Sequence, residues 1–346
     1  MLHSTLRQNP DDRFVECGIR SLRSRYCNST LSKTRAFAQR IIRNDEKSAM
    51  TNELTSDKFP LFRAQYRLIT SILIWGLLVS TAPAQRVETV KFESKLVNAV
   101  LPYNVVLPKD YDTAHATRYP VLYLLHGLTG HYSDWVSRTN VADYASHYRL
   151  IVVTPEGNDG WYTDSATVAT DKYESYILKE LIPDVQQRYR TIEARYGRSI
   201  AGLSMGGYGS LKFGLKSPET FIFAGSMSGA FGVTRLGEKE MAASRWETSL
   251  KLFGPVGSET RKANDLVEII NNLTAARISS LPFFYFDCGT EDSDRIFPSN
   301  RELAALMAAK KIPHEYRELP GDHSWGYWDQ QVREVLKIAA SKMKAD

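Results

Sequence analysis

One short segment constrains this chain more than any other. Residues 198–201 (RSIA) read as a buried strand, and residues 205–216 read as a helix. Between them stands Gly202-Leu203-Ser204-Met205-Gly206, the pattern G-x-S-x-G. A chain that passes from strand to helix in so few residues must turn sharply. Such a turn strains the serine backbone and lifts its hydroxyl out of the sheet. Positions two before and two after the serine crowd together and tolerate little side chain, a demand that Gly202 and Gly206 meet.

The neighbouring sequence supplies a sheet for this turn to sit on. Residues 119–125 (YPVLYLL) and 150–154 (LIVVT) are nearly unbroken apolar runs, as suits strands buried on both faces. Segments 221–227, 282–288 and 314–319 read as further strands, and 298–311 and 327–343 as helices. Residues 173–189 carry a helical apolar period, with Pro183 inside it predicting a kink or break. Residues 87–95 and 99–107 form an antiparallel start around Leu96-Val97-Asn98, and 141–148 a short helix. Residues 246–272 read as an insertion with one or two helices. Alternation of this kind predicts an α/β fold, with a mostly parallel sheet covered by helices on both faces.

The N-terminal region has a different character. Residues 68–79 are twelve apolar or neutral residues without a charge. That is short of the roughly 20 that span a bilayer. Arg63 and Arg67 precede the run and Ala82-Pro83-Ala84 follows it, which together describe a secretory signal with cleavage after Ala84. An uncleaved run would instead act as a membrane anchor. The expected organisation is an extension, or sequence ahead of the true start, over 1–49; a signal over 50–84; and one enzyme-sized domain over 85–346. The formal net charge of +5 divides along the same line. Residues 1–84 hold 13 basic and 7 acidic residues, whereas 85–346 hold 31 and 32. With no basic bias there, the domain does not read as a nucleic-acid binder. It keeps only Cys288 of three cysteines, so no internal disulfide is expected.

A serine hydroxyl needs a base to become a useful nucleophile. His323 lies in Pro320-Gly321-Asp322-His323-Ser324-Trp325, just after a strand and before the last helix, where α/β proteins place their sites. The acid has several candidates after the strand 282–288: Asp287 within it, and Glu291, Asp292 and Asp294 in the following loop. Spacing alone does not choose among them. An oxyanion needs two N–H donors. Met205, following the serine, and Leu128, in Leu125-His126-Gly127-Leu128-Thr129-Gly130, are the expected pair. His126 is expected to brace that loop rather than act as a base. Trp161 is a candidate for lining a substrate pocket, since it follows the strand 150–154 on the same edge.

H-G-L-T-G, P-E-G-N-D-G-W-Y, A-G-L-S-M-G-G-Y-G, D-C-G-T-E-D and G-D-H-S-W, in this order, resemble the esterase D family of α/β-hydrolases. That family includes S-formylglutathione hydrolases, short-chain and feruloyl esterases, and mycolyltransferases. The resemblance runs from about Lys95 to the C-terminal helix. It implies an α/β-hydrolase fold and a triad of Ser204, His323 and Asp292, the acid standing three residues after Gly289. Leu128 and Met205 are its implied oxyanion donors. S-formylglutathione hydrolases usually carry a cysteine shortly after the oxyanion glycine, where this chain has Leu128-Thr129-Gly130.

The expected activity is that of a secreted or periplasmic serine carboxylesterase acting on small-molecule or polysaccharide-linked esters. It needs no metal or organic cofactor. The alternatives are an acyltransferase using the same triad, an S-formylglutathione hydrolase, and a non-catalytic binding protein that keeps the fold.

Overall fold

The computed structural model describes residues 85–237 and 251–344. The expected extension and signal, and the start of the 246–272 insertion, lie outside the described residues. The strands are β1 (Val87–Val90), β2 (Glu93–Ser94), β3 (Ala99–Val100), β4 (Tyr103–Val106), β5 (Val121–Leu125), β6 (Ile151–Pro155), β7 (Arg198–Leu203), β8 (Phe223–Met227), β9 (Phe283–Gly289) and β10 (His314–Leu319). The main sheet runs β1-β4-β6-β5-β7-β8-β9-β10, and β2 and β3 form a small ribbon. β1 pairs antiparallel with β4, and β4 with β6. Every later neighbour pair, from β6–β5 to β9–β10, is parallel.

The apolar runs form central strands because both sheet faces are covered. Val121, Tyr123 and Leu125 of β5 enter one core, and Leu122 and Leu124 enter the other. On the first face lie the helix α1 (Met205–Lys216) and the helix α2 (Ile296–Ala309), which contribute Tyr208, Leu211, Leu303 and Met307. On the second lies α3 (Trp325–Lys342), with Val332, Val335, Leu336 and Ala339 buried against Trp135 and Val141. Full burial stabilises roughly 1.5–3 kcal/mol for each such valine or leucine. Among the described residues, no helix is long and apolar enough to cross a membrane.

Two sequence expectations are refined. The antiparallel start breaks into four short strands, with Asn98 at φ 53 in the turn between β2 and β3. The interrupted helix consists of Tyr173–Tyr176, a π-helical stretch at Ile177–Leu181, and Ile182–Arg188. Pro183 lies in the first turn of the last piece. Its ring excludes the carbonyl four residues back and it has no N–H to donate, so the disturbance falls on the preceding turn.

The parallel strands end on one edge. Leu125 of β5 stands beside Gly202 of β7, and Leu319 of β10 beside Gly289 of β9. The loops after these four strands carry all the candidate groups except Asp287, within β9, and Trp161, which follows β6.

Candidate active site

Ser204 sits at the tip of the turn with φ 50 and ψ −113, a backbone conformation that costs about 1–3 kcal/mol and persists only when its surroundings enforce it. They do so through the main chain. Its N–H donates to the Met227 carbonyl at 2.9 Å, and its carbonyl accepts from Tyr208 at 3.0 Å and Ala230 at 3.1 Å. The flanking glycines are needed for contact. A Cβ on Gly202 would stand 2.6 Å from the Gly206 backbone, and one on Gly206 would stand 2.5 Å from the His126 carbonyl oxygen.

His323 Nε2 lies 3.0 Å from Ser204 Oγ, and its Nδ1 lies 2.9 Å from Asp292 Oδ2. Asp292 is held by its own neighbourhood, with Oδ1 accepting from the Ser293 N–H at 2.7 Å. Its side chain is fully buried, whereas the imidazole is one-third exposed. Asp287, within β9, points elsewhere and accepts from the Tyr327 hydroxyl at 2.7 Å. The structure therefore brings together Ser204, His323 and, of the four candidate acids, Asp292.

The loop after β5 passes close to the serine. A Cβ on Gly127 would meet Leu203 Cδ1 at 2.6 Å and Ser204 Cβ at 3.4 Å. Leu128 follows in this loop, and Met205 opens α1. Among the described residues, neither of their N–H groups has a protein acceptor. A cleft of about 590 Å³ opens over the serine, lined by Leu128, Thr129, Asp134, Arg138, His323 and Trp325, among others. Trp325 and Trp328 meet edge to face at 5.3 Å, and Trp328 meets the His323 ring at 4.9 Å.

Trp161 does not reach this cleft. It is wholly buried, with its indole against Tyr208 and Phe253. The reason is backbone geometry that its position after β6 did not reveal. Trp161 and Tyr162 both adopt left-handed φ, 50 and 49, and turn their rings inward. The Tyr162 ring fills the space left by the missing Cβ of Gly157.

Lys212, absent from the sequence expectations, is fully buried on α1. Its ammonium donates to the Tyr162 carbonyl at 2.8 Å and pairs with Glu174 at 3.0 Å. Burial pushes it down to about 8 against the pull of Glu174. The available signal was a basic residue on the apolar side of a helix.

Comparison with known proteins identifies the family and the fold. The model of the family described as "Putative esterase" matches residues 94–337. An acetyl esterase of Caldicellulosiruptor saccharolyticus is 25% identical over 258 residues, covering 72% of this chain and 96% of that protein. An esterase of Mycobacterium tuberculosis is 32% identical over 254 residues, or 67% of this chain. The match spans only about half of that longer relative, 54% of its length. Among solved structures, a ferulic acid esterase superposes with a TM-score of 0.64 at 27% identity, covering 75% of this chain and 99% of that one. The chain belongs to this esterase family and has its α/β-hydrolase fold, that of serine hydrolases acting on carboxylic ester bonds.

Proposed function

We propose that the protein is an exported serine carboxylesterase that hydrolyses short-chain acyl esters or acyl groups carried on carbohydrate. The observation that carries this reading is the hydrogen-bonded line Ser204–His323–Asp292, at 3.0 and 2.9 Å, at the floor of an open cleft. His323 takes the Ser204 proton as the hydroxyl attacks the ester carbonyl. Asp292 holds the imidazole tautomer and stabilises the imidazolium. The N–H groups of Leu128 and Met205 receive the oxyanion, and water then releases the acyl group through the same histidine. The names of the acetyl esterase and ferulic acid esterase relatives support acetyl and feruloyl groups as the first to try. Export rests on the Arg63, Arg67 and Ala82-Pro83-Ala84 pattern around the apolar run.

A panel of p-nitrophenyl acetate, butyrate and octanoate, methyl ferulate, acetylated xylan and S-formylglutathione tests the reading. Ser204→Ala should cost several orders of magnitude on every ester the native chain cleaves. Full activity in that variant would remove Ser204 from the mechanism. Products analysed with a sugar acceptor present would show acyl transfer if transfer, not hydrolysis, is the reaction. Inertness towards the whole panel would favour a binding protein. The N-terminus of the exported product should be Gln85, and one upstream of Arg63 would contradict cleavage after Ala84.

A further inference from the structure

The P-E-G-N-D-G-W-Y segment carries no group that meets the cleft, yet it encloses His126. That ring is 1% exposed and lies between two backbone groups of opposite kind. Its Nδ1 is 2.8 Å from the Gly127 carbonyl oxygen, which can only accept. Its Nε2 is 2.8 Å from the Gly157 nitrogen, which can only donate. The partners therefore put the proton on Nδ1 and leave the lone pair on Nε2. Glu156 Oε1 also stands 3.3 Å from Nε2 and would favour a proton there. That carboxylate already accepts from the Asn158 N–H at 2.9 Å and the Tyr132 N–H at 3.2 Å. The shorter Gly157 contact sets the tautomer.

The Gly127 carbonyl and the Leu128 N–H belong to one planar peptide and point in opposite directions. Whatever holds the carbonyl aims the N–H. We propose that His126 is a positioning residue for the oxyanion hole: by donating Nδ1–H to the Gly127 carbonyl it fixes the plane of the Gly127–Leu128 peptide. This rests on the reading of Leu128 N–H as an oxyanion donor. Gly127 makes such a device necessary, because a glycine lets the adjoining peptide rotate easily. The Gly130 N–H assists, donating to the same oxygen at 3.1 Å. The rest of the segment holds the ring and its loop. The Tyr162 hydroxyl donates to the His126 carbonyl at 3.1 Å, and Asp159 accepts from the Thr129 N–H at 2.7 Å. Lys212 in turn ties the Tyr162 carbonyl to the helix that begins at the nucleophile.

The amide nitrogen of an asparagine overlays a histidine Nδ1, and the amide end of a glutamine overlays Nε2. His126→Asn keeps the donor to Gly127, whereas His126→Gln keeps the acceptor for Gly157 and loses that donor. In the full chain, His126→Asn should stay within about tenfold of native kcat on p-nitrophenyl butyrate. His126→Gln should lose about a hundredfold in kcat at nearly constant KM, the scale of losing one oxyanion donor. Its affinity for an alkyl boronic acid, which forms a tetrahedral adduct on the serine, should fall in parallel. Equal kcat in the two variants, or a loss confined to KM, overturns the proposal. If neither variant folds, 15N imidazole shifts of the native protein decide: an Nδ1–H tautomer at His126 supports it and an Nε2–H tautomer overturns it. Ser204→Ala in the same assays separates the two claims. An active Ser204→Ala defeats the functional reading, whereas an inactive one beside a fully active His126→Gln defeats only this inference.

Discussion

At the scale of single residues, the site depends on which of several similar side chains the backbone delivers. Glu291 is exposed and its main chain pairs with Gly321, while Asp292 next to it turns its carboxylate onto His323 at 2.9 Å. Asp292→Asn should therefore lower kcat by about three to four orders of magnitude, because the imidazole loses the partner that fixes its tautomer. Glu291→Gln should leave kcat unchanged, and a comparable loss from it would mean that the acid has been misassigned. The serine was legible in the sequence because the turn that presents it demands small neighbours at fixed positions. The acid was not legible from spacing, since adjacent loop residues differ only in orientation, and a resemblance to known motifs had to select Asp292. Gly206 makes the crowding measurable. In Gly206→Ala the new Cβ would lie 2.5 Å from the His126 carbonyl oxygen and 2.6 Å from that of Leu125. Forcing those carbonyls apart should cost roughly 1–3 kcal/mol in urea unfolding and displace the oxyanion loop.

At the scale of elements, the helix that follows the His323 loop is tied to the neighbouring strand β9. Asp287 lies fully buried within β9 and accepts from Tyr327, in the first turn of α3. Burial pushes the Asp287 carboxyl up to about 7, outweighing the hydroxyl bond from Tyr327 that favours its ionised form. The unfolded chain titrates this group near the ordinary aspartate value of 3.8. Between those two values the native state binds more protons than the unfolded state. Stability from this group is therefore full below about pH 4 and lost as the pH rises through about 7. Asp287→Asn should flatten the fall in melting temperature between pH 5 and pH 8. It should also raise the value at pH 8 by a few degrees, at about 2–4 °C per kcal/mol. An unchanged pH profile in the variant would show that Asp287 does not titrate in this range. The strands and long helices were legible from apolar period and run length. The inward turn of Trp161 and Tyr162 was not, because nothing in residue type marks two successive left-handed residues that are neither glycine nor asparagine.

At the scale of the whole molecule, the order of the strands explains why five short motifs spread over two hundred residues meet at one edge. The described residues start with antiparallel strands at one side of the sheet, then add parallel strands with helices between them, so that successive loops emerge at the same end. That placement needs no net charge, and residues 85–346 have almost none, with 31 basic against 32 acidic residues. The whole sequence nevertheless carries a formal +5, because residues 1–84 hold 13 basic and 7 acidic residues. If removal after Ala84 yields the working enzyme, its attraction to polyanions should leave with the leader. At pH 7 and low salt the unprocessed chain should bind a cation exchanger, and the processed form should pass through it, since binding of this kind follows clustered charge and is screened by salt. Specific activity on p-nitrophenyl butyrate should be the same in both forms, as no group in the proposed mechanism precedes His126. Retention of the processed form would reveal a basic surface that the residue count hides. A loss of activity on processing would mean that the leader contributes to the site.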